Sequence, residues 1–509
     1  MGYAAAGRKY GVSATTVRKR LRRFESERDA EKTAKPPEGA YRRYAQASMA
    51  EPFTVLIMAA GRGTRMRSDI PKVLHRVCGK PMLQWVVDAG REAGADRILC
   101  VVRPGDGVAD RLPEGIELVE QADGEGTGSA VLAARTKLAS GDQPVVVLSG
   151  DHPLVSAEHL VGLMRAHQEG SAIATVLTTD RLDPRSYGRV VRGEDGQVER
   201  IVETKNPEGV AAEDLAIREV NLGTYVFDPA ALVDALDAVH SERGERYLTG
   251  AIEILRRRGD IIATHLTDDA AGALGVNDRA DLMQAEHVAQ SRILRDHARA
   301  GVTFLQPETT RVEAGVTIGE DTLVAPGTSL LGATSVGPGS EVGPHATVTD
   351  STIGAGARVL HAYLIEAEVH DGATVGPFAY LRPGTIVGEG AKVGTFVEVK
   401  NAELGPGAKV PHLSYVGDAD VGPNSNLGAS TITANYDGRK KHRTRVGSDA
   451  RTGVHTSLVA PVHVGDRSYT GAGSVITGDV PAGALGISRT KQENVESYAD
   501  RVEDRQEPK

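Results

Sequence analysis

The hydrophobic pattern of the chain changes near residue 300. Before that point, short apolar runs at residues 55–58, 97–102 and 144–148 predict strands, and helical spacing at residues 83–92 and 130–138 predicts helices. Strands that are apolar on both faces and alternate with helices indicate a parallel sheet covered on both sides. Such sheets bind ligands at the carboxyl ends of their strands.

Beyond residue 304, aliphatic residues recur at every sixth position, and a small residue stands four positions after several of them. This hexapeptide period predicts a left-handed parallel β-helix, in which three units form one triangular coil. The register slips near residues 351–353, and hexads return around Val464, Thr470 and Ile476. The aliphatic positions are Val312, Ile318, Val324, Leu330, Val336, Val342 and Val348, and the small ones are Thr322, Thr328, Thr334, Ser340 and Ala346.

These patterns predict four parts in an α/β protein. A basic extension and linker occupies residues 1–50, and a Rossmann-like domain occupies residues 51–278. A helical linker follows at residues 279–300, and the β-helix comprises residues 301–509.

Residues 1–50 differ from the rest of the chain in charge. They hold twelve Lys and Arg against five Asp and Glu, whereas the whole chain of 509 residues has a net charge of -9. Residues 4–24 fit a short helix, a turn and a basic helix, a pattern typical of DNA-binding helix-turn-helix proteins. A solvated basic helix is the commoner meaning of such a stretch, and a mis-assigned start upstream of Met49 would explain the whole extension. We expect nucleic acid binding, if any, only through this segment.

The composition indicates a cytoplasmic protein. Two cysteines, Cys78 and Cys100, do not form a disulfide framework in a chain of this length, so we expect both thiols to be reduced. No apolar run approaches the roughly 20 residues of a membrane helix, and no signal peptide is expected.

A Gly-rich turn follows the first predicted strand. Residues 58–75 read MAAGRGTRMRSDIPKVLH. Gly61 and Gly63 let the backbone approach a triphosphate and direct N–H groups at it. Arg65 and Lys72 add positive charge where negative charge develops on the attacked phosphorus. This spacing predicts a nucleotidyl-transfer site and differs from the P-loop pattern.

Two later segments add a base-reading loop and a carboxylate. Residues 121–128 read QADGEGTG and resemble the uracil-reading loop of uridylyltransferases. The Gln121 amide can pair with a base edge through both its donor and its acceptor. Residues 148–151 read LSGD at the end of a predicted strand. We expect Asp151 to hold Mg²⁺ against the phosphates, because carboxylate oxygens suit that hard cation.

These motifs resemble the nucleotidyltransferase signature of sugar-nucleotide pyrophosphorylases. Almost everything after Met49 resembles the bifunctional GlmU family, which joins an N-acetylglucosamine-1-phosphate uridylyltransferase to a glucosamine-1-phosphate N-acetyltransferase. The resemblance implies that Asn277 is the second Mg²⁺ ligand. It also implies that UTP or the sugar nucleotide contacts Met58, Ala59, Ala60, Gly61, Lys72, Gln121, Gly126, Thr127, Gly188, Glu203, Asn221 and Asn277.

Polar segments interrupt the hexads at residues 381–384, 396–400, 412–418 and 432–438, and they resemble the acetyltransferase half of the same family. An amine that attacks a thioester must lose a proton, and His suits this task near pH 7. We assign that role to His412. The resemblance implies that Arg382, Lys400, Lys441, Glu398, Tyr415 and Asn426 bind glucosamine-1-phosphate, and that Ala429, Asn435, Tyr436, Ala472 and Arg489 bind acetyl-CoA. Asn435 and Tyr436 are expected near either the acetyl-CoA or the reacting amine.

The resemblance implies a bifunctional enzyme that makes UDP-N-acetylglucosamine for peptidoglycan and other cell-envelope precursors. Acetyl-CoA acetylates glucosamine-1-phosphate, and UTP then uridylylates N-acetylglucosamine-1-phosphate with loss of pyrophosphate. Hexapeptide acyltransferases of this type are homotrimers, so the same state is expected here. The chain departs from the family pattern at Gly124, Leu222, Gly250 and Val454.

Two other functions fit parts of the sequence. A monofunctional sugar-1-phosphate nucleotidyltransferase with a regulatory β-helix has the architecture of ADP-glucose and GDP-mannose pyrophosphorylases, but an inert β-helix needs neither His412 nor Asn435-Tyr436. A non-enzymatic scaffold would be expected to lose cations or carboxylates, whereas Arg65, Lys72 and Asp151 are all present.

Overall fold

A computed structural model describes residues 52–184, 187–204, 210–241 and 245–503. The described residues form two compact units. One comprises residues 52–62 and 83–275, and the other comprises residues 63–82 and 276–503. The predicted basic extension over residues 1–50, with its possible helix-turn-helix, lies outside the described residues.

The first unit is built around a nine-stranded sheet. Its strand Thr54–Met58 pairs in parallel with Arg97–Val102 on one side and Val145–Ser149 on the other, as predicted. The strand Val220–Phe227 is antiparallel to Val145–Ser149 and to Ala174–Thr179, so the sheet is mixed rather than wholly parallel. The preceding antiparallel hairpin reverses the chain direction before this strand begins. The remaining strands are Glu117–Glu120, Arg189–Arg192, Val198–Val202 and Ile262–Leu266.

Helices pack on this sheet. The single helix predicted over residues 130–138 is divided at Ala134 into two short helices. Pro229–Ala238 begins where the Asp228 carboxylate accepts a hydrogen bond from the N–H of Ala231 at 2.8 Å, which satisfies one of the unpaired donors of the first turn. The helices of this unit are Met82–Glu92, Thr127–Ala133, Arg135–Leu138, Ala157–Glu169, Ala212–Leu215, Pro229–Ala238 and Thr249–Arg257.

The second unit is a left-handed parallel β-helix, and the hexapeptide prediction is confirmed. Three parallel sheets of seven, ten and nine strands form its faces. Among the predicted aliphatic positions, Ile318 is half-buried and the other six are buried. The predicted small residues are buried too, and their hydroxyls bond to nearby carbonyls: Thr328 Oγ1 donates to Ala325 O at 2.7 Å. A small polar side chain therefore fits beside a turn without leaving a buried hydroxyl unpaired.

The strands of the β-helix are short. The first face comprises Thr303–Phe304, Leu323–Val324, Glu341–Val342, Arg358–Val359, Thr374–Val375, Lys392–Thr395 and Lys409–His412. The second comprises Arg311–Val312, Ser329–Leu331, Thr347–Thr349, Tyr363–Ile365, Tyr380–Leu381, Glu398–Lys400, Tyr415–Gly417, Ile432–Ala434, Ser457–Val459 and Val475–Ile476. The third comprises Thr317–Ile318, Ser335–Val336, Thr352–Ile353, Glu368–Val369, Ile386–Val387, Glu403–Leu404, Ala419–Val421, Thr444–Val446 and Val462–Val464. A further pair is formed by Tyr469–Thr470 and Leu485–Gly486.

The predicted register slip is explained by a shortened corner. Buried Val348 and Ile353 are five positions apart rather than six, and Asp350 between them has a left-handed φ of 47°. The same arrangement recurs at Asn401 (φ 46°) and Asp418 (φ 47°). Asn and Asp adopt this conformation more readily than most residues, so they suit a corner that has lost one residue.

A helix and a hairpin pack on the first coils of the β-helix. Arg279–Arg299, predicted as a helix to within one residue, begins at Asp278 and buries Leu294 in the β-helix core. The strands Arg76–Val77 and Lys80–Pro81 form a hairpin that the sequence pattern did not predict.

The hairpin turn consists of two left-handed residues, Cys78 (φ 47°) and Gly79 (φ 79°), as a type I′ turn requires. The Cys78 N–H donates to the Glu286 carboxylate at 2.6 Å, and the Ala314 N–H donates to the Cys78 carbonyl at 2.9 Å. These bonds join the turn to the helix and to the first coil.

Both cysteines are buried, and both are free. Burial raises the pKa of each thiol, Cys78 and Cys100, to about 12. No helix within the described ranges is long and apolar enough to cross a membrane.

Shortening an interior side chain tests the packing of the β-helix. Leu364 is fully buried and Leu305 is 58% exposed. We expect Leu364→Ala to lower the free energy of unfolding by about 2–5 kcal/mol, because it removes buried methyl groups and leaves a cavity. The matched change Leu305→Ala should have an effect within about 0.5 kcal/mol. Urea unfolding at fixed protein concentration, followed by circular dichroism, compares them, and equal losses would contradict the packing described.

Candidate active sites

The predicted nucleotide turn leaves the end of the central strand of the first unit. Met58 ends that strand, and the Ala59 N–H donates to the Val101 carbonyl at 2.8 Å. Ala60 is buried and Gly61 is exposed. Within the described part of the chain, no heavy atom outside Gly61 and its two chain neighbours lies within 4 Å of the position that a Gly61 Cβ would occupy. The backbone is therefore anchored up to Ala60 and open to a ligand at the next residue.

The predicted base-reading loop is closed by its own glutamine. Gln121 is buried, and its Nε2 donates to the Gly124 carbonyl at 3.0 Å. Gly126 has φ 94°, and a Cβ there would collide with the Arg246 carbonyl, so only glycine fits. Thr127 then begins the next helix. In this structure the Gln121 side-chain amide therefore donates to a carbonyl of its own loop.

The predicted metal carboxylate lies just after the strand Val145–Ser149. Asp151 Oδ1 accepts from Ser149 Oγ at 2.7 Å, and His152 Nε2 lies 3.7 Å from the same oxygen. No group of three or more His, Cys, Asp or Glu able to hold a metal occurs among the described residues. Mg²⁺ is commonly held by one or two carboxylates plus substrate phosphates, so the donors present still suit that ion.

The residues predicted to contact the sugar come from neighbouring strands of the first unit. The Asn221 N–H donates to the Gly188 carbonyl at 2.9 Å, so these two residues are brought together. Asn221 Nδ2 donates to the Tyr225 hydroxyl at 2.7 Å, and Glu203 accepts from Thr249 Oγ1 at 3.0 Å. Burial, with the charge of Glu203, raises the pKa of Tyr225. Asn221 and Glu203 are thus held by neighbours that the sequence had not identified.

The predicted cations of the nucleotide site belong to the second unit. Arg65 Nη2 donates to Asn277 Oδ1 at 2.8 Å, so the oxygen expected to bind Mg²⁺ accepts from an arginine here. Gly63 has φ 61°, and a Cβ there would lie 2.6 Å from the Cβ of Lys72. Gly63 therefore lets the loop fold against the Lys72 side chain. Asp151 belongs to the other unit.

Three cations cluster on the β-helix. Arg382 Nη1 donates to Glu398 Oε1 at 2.8 Å. The pKa of Lys400 is lowered, first because its side chain shares a hydrogen bond with that of Lys441, and further by burial and by the charges of Lys441 and Arg382; the charge of Asp418 opposes this. A lysine whose pKa is lowered by neighbouring cations belongs to a cluster that suits a phosphate dianion.

The pairing of the coils places the predicted sugar ligands side by side. Glu398 and Tyr415 are direct partners in the parallel ladder of the second face. In the ladder one coil earlier, Tyr380 pairs with Glu398, and the Arg382 N–H donates to the Val399 carbonyl at 2.9 Å. Ladder spacing therefore sets the distances between these residues.

The predicted base, His412, ends the strand Lys409–His412 and is exposed. Its carbonyl accepts from Ser414 Oγ at 2.7 Å and from the Ser430 N–H at 3.2 Å. The backbone is held at a corner of the coil while the imidazole faces outwards. A general base needs this combination of a fixed position and access to its substrate.

A loop leaves the coil after Ile432–Ala434 and returns at Thr444–Val446. The His442 N–H donates to the Asn435 carbonyl at 2.8 Å and closes the loop at its base. Tyr436 in this loop is 62% exposed. Both residues predicted for acetyl-CoA therefore stand at the start of an excursion from the β-helix.

Sequence reasoning assigned no role to one buried carboxylate beneath this loop. Asp418 accepts hydrogen bonds from the side-chain amides of Asn401 and Asn435. Asn435 Nδ2 also lies 3.4 Å from the Tyr415 hydroxyl. The five-residue spacing at the corner was the signal that could have singled out Asp418.

The other predicted acetyl-CoA residues lie on later coils. Arg489 Nη1 donates to the Ala472 carbonyl at 2.9 Å, so these two are brought together. The Ala429 carbonyl accepts from the His455 N–H at 2.8 Å. Asn426, predicted for the sugar phosphate, is half-buried in a bridge between neighbouring coils.

Fold and sites together define a nucleotidyltransferase joined to a hexapeptide transferase. Residues 55–256 match the family model of MobA-like NTP transferase domains. Residues 366–401 match the model of the bacterial transferase hexapeptide, with six repeats.

The relatives narrow this class to one family. The chain is 45% identical over 446 residues to the bifunctional protein GlmU of Shouchella clausii, covering 87% of this chain and 98% of that one. It is 46% identical over 458 residues to that of Mycolicibacterium vanbaalenii (88% and 92% covered), and 44% identical over 462 residues to that of Streptomyces avermitilis (89% and 95% covered). The chain belongs to the bifunctional GlmU family. Family membership confirms the prediction of an enzyme with uridylyltransferase and acetyltransferase activities that makes UDP-N-acetylglucosamine.

The lowered pKa of Lys400 predicts a pH dependence. Lys400 loses its proton at a lower pH than an ordinary lysine, so 1/KM for glucosamine-1-phosphate should decline earlier as the pH rises. Lys441→Met removes the main cause, and we expect the decline to move to higher pH while affinity near neutral pH falls. The amine of the substrate titrates identically with every variant. A difference between variants in the pH of the decline therefore arises from the enzyme.

Acetyl-transfer kinetics from about pH 7 to about pH 10 measure this shift. Lys440→Met, at the adjacent exposed lysine, should leave the position of the decline unchanged. A decline at the same pH in Lys441→Met and the unsubstituted protein would contradict the pairing of the two lysines.

Proposed function

We propose that the protein acetylates glucosamine-1-phosphate first and uridylylates the product second, with the residues predicted from the sequence acting in each step. Residues 51–278 are assigned to uridylyl transfer, residues 301–509 to acetyl transfer, and residues 279–300 to the link between them. The cation cluster of Arg382, Lys400 and Lys441 carries this proposal. An inert or regulatory β-helix has no need to hold three cations close enough to lower the pKa of one.

In uridylyl transfer, a phosphate oxygen of N-acetylglucosamine-1-phosphate bonds to the α-phosphorus of UTP, and the bond to pyrophosphate breaks. Arg65 and Lys72 neutralise the charge that develops on the phosphates. Gln121 reads the uracil edge once its Nε2 exchanges the Gly124 carbonyl for the base. The sugar is held by Gly188, Glu203 and Asn221. Glu203 is supported by the hydrogen bond that it accepts from Thr249, and Asn221 by the one that it donates to Tyr225.

We assign Mg²⁺ to Asp151 and Asn277. Carboxylate and amide oxygens are the donors that this cation prefers, and the phosphates of UTP complete such a set. When bound, the ion supplies positive charge to the phosphates of the nucleotide. Asn277 Oδ1 accepts from Arg65 in this structure, so holding the cation would open that bond and would leave the guanidinium available for the phosphates.

In acetyl transfer, the amine of glucosamine-1-phosphate bonds to the thioester carbon of acetyl-CoA. The carbon–sulfur bond breaks, His412 takes a proton from the nitrogen, and coenzyme A leaves as the thiol after protonation. Arg382, Lys400 and Lys441 bind the phosphate, while Glu398, Tyr415 and Asn426 hold the sugar. Ala429, Ala472 and Arg489 are assigned to acetyl-CoA. Asn435 and Tyr436 are assigned to the place where its thioester meets the reacting amine.

A homotrimer is the assembly that we propose, and an exposed ladder of side chains supports it. Five side chains occupy left-handed positions in successive coils: His345, His361, Phe378, Phe396 and Leu413. This set is called the aromatic ladder here. The rings of Phe378 and Phe396 stack at 5.3 Å, and both are at least half exposed. Contiguous apolar side chains of this kind mark a surface covered by another protein. The ladder adjoins His412, so a second copy there would complete the acetyl-transfer site.

We place both reactions in the cytoplasm, where reducing conditions suit two free cysteines. The product enters cell-envelope synthesis in that compartment. At the family departures, Gly124 still closes the base-reading loop through its carbonyl, and Val454 is 47% exposed. Both sites are therefore expected to work despite these substitutions.

Two substitutions should separate the activities. With Mg²⁺, UTP, acetyl-CoA and glucosamine-1-phosphate, the protein should release thiol and form UDP-N-acetylglucosamine. His412→Ala should lower kcat for thiol release about 100-fold or more through loss of the general base, and leave uridylylation of N-acetylglucosamine-1-phosphate unchanged. Asp151→Asn should do the reverse, because a charged oxygen ligand for Mg²⁺ is removed.

Both variants are assayed for both reactions. The reaction that a substitution is expected to leave unchanged shows that the variant is folded. Uridylylation without any thiol release in the unsubstituted protein would leave only a monofunctional nucleotidyltransferase. Thiol release that persists in His412→Ala would overturn the assignment of the base.

Replacing the stacked rings tests the assembly. We expect Phe378→Ser with Phe396→Ser to reduce the mass from three chains towards one, because burial of two aromatic side chains is lost at each interface. Analytical ultracentrifugation measures the mass. Leu266→Ser, at an exposed leucine of the first unit, serves as the control. A trimer that survives the double substitution, or an unsubstituted protein that sediments as one chain, would count against the ladder as an interface.

A further inference from the structure

A buried carboxylate lies beneath the acetyl-transfer residues. Asp418 is 8% exposed and occupies a shortened corner of the coil. Its N–H donates to the Lys400 carbonyl at 3.0 Å, and the Thr444 N–H donates to its carbonyl at 3.0 Å. Because both bonds hold the backbone of Asp418, the corner itself fixes the direction of the side chain.

The two oxygens of this carboxylate accept from two different amides. Asn401 Nδ2 donates to Oδ1, and Asn435 Nδ2 donates to Oδ2. A buried carboxylate must be given donors, and an ionised one can only accept. Each asparagine therefore has to present its NH₂ group to Asp418. This requirement fixes the rotation of the Asn435 amide and puts its oxygen, Oδ1, on the edge away from Asp418.

The orientation of Asn435 matters for the reaction. A sugar amine that attacks a thioester has two N–H groups and one lone pair. His412 takes one proton, and an acceptor on the other N–H would leave the lone pair directed at the thioester carbon. An amide oxygen is such an acceptor, whereas an NH₂ group in its place would repel the amine.

We propose that Asp418 is a positioning residue for acetyl transfer, which holds the Asn435 amide with its oxygen towards the amine of glucosamine-1-phosphate. The inference rests on the proposed function, because it assumes that Asn435 lies at the reacting amine. Asp418 also opposes the lowering of the Lys400 pKa, so a purely electrostatic role in phosphate binding is the alternative. That role would change KM for the sugar phosphate, whereas positioning through Asn435 changes kcat.

The first variant is Asp418→Asn. The new amide has one oxygen for two asparagines, so it can no longer accept from both Asn401 and Asn435. When its NH₂ faces Asn435, the Asn435 amide turns its own NH₂ towards the substrate. We expect kcat for acetyl transfer to fall about ten-fold or more, as for loss of a hydrogen bond to a charged group, with KM for acetyl-CoA unchanged. Uridylylation by the same chain reports folding.

Asp420→Asn is the matched control. Asp420 lies two residues away and pairs with Arg443, and neither is assigned to a substrate. We expect its kcat to stay within about two-fold of the unsubstituted value, as for an exposed ion pair.

Exchanging the side chains at positions 418 and 435 distinguishes positioning of the amide from a purely structural role of Asp418. In Asp418→Asn with Asn435→Asp, the new amide donates to the new carboxylate, which presents an oxygen on both of its edges. We expect this protein to regain kcat several-fold over Asp418→Asn and to exceed Asn435→Ala. The swap keeps a donor and an acceptor at the corner, so it also carries the test if Asp418→Asn does not fold.

Unchanged kcat in Asp418→Asn, or a swapped protein no better than Asn435→Ala, would overturn the positioning role while leaving the proposed function intact. Absence of thiol release from the unsubstituted protein would instead overturn the proposed function, and this inference with it. Thiol release by the unsubstituted protein therefore distinguishes the two failures.

Discussion

The second unit depends on one constraint: each face of every coil must supply one side chain that fits the narrow interior. Buried Val, Ile and Leu residues meet it in most strands, with Thr433 and Thr470 in two others, and the parallel ladders then lock each coil to the next. Strands of two to four residues have little stability of their own, so this stacking holds them. The same ladders set the spacing of Glu398 and Tyr415, which are partners in register. Packing inside the β-helix therefore fixes the geometry of the polar groups outside it.

The period of the interior could be predicted because it follows from geometry alone. A six-residue face places the same kind of side chain inward at every turn, and Val312 to Val348 display that period directly. The direction of Val220–Phe227 could not be predicted, since it depends on partners distant in sequence. The Cys78-Gly79 turn also depends on a contact with Glu286, which is distant in sequence. Among the site residues, motifs gave positions such as His412, but the orientation of Asn435 required the fold.

The two sites reach similar chemistry by different routes. In the proposed function, both handle a sugar phosphate, and both use lysine and arginine to meet its charge. In the nucleotide site these cations come from a loop, where Gly63 allows a close approach to Lys72. On the β-helix, Arg382 and Lys400 stand in strands or beside them, with backbones bonded to neighbouring coils. The stacked coils preorganise the cations on the β-helix, whereas the positions of the cations in the nucleotide site depend on how one irregular segment folds.

The two buried cysteines have a consequence for an enzyme that releases a thiol at every acetyl transfer. A thiolate is the species that attacks disulfides, and a thiol pKa raised to about 12 leaves almost none of it at neutral pH. Cys78 and Cys100 therefore resist mixed-disulfide formation with oxidised coenzyme A. The protein can work in a pool of its own thiol product without forming mixed disulfides with it, and oxidation should alter the released coenzyme A before it alters these two cysteines.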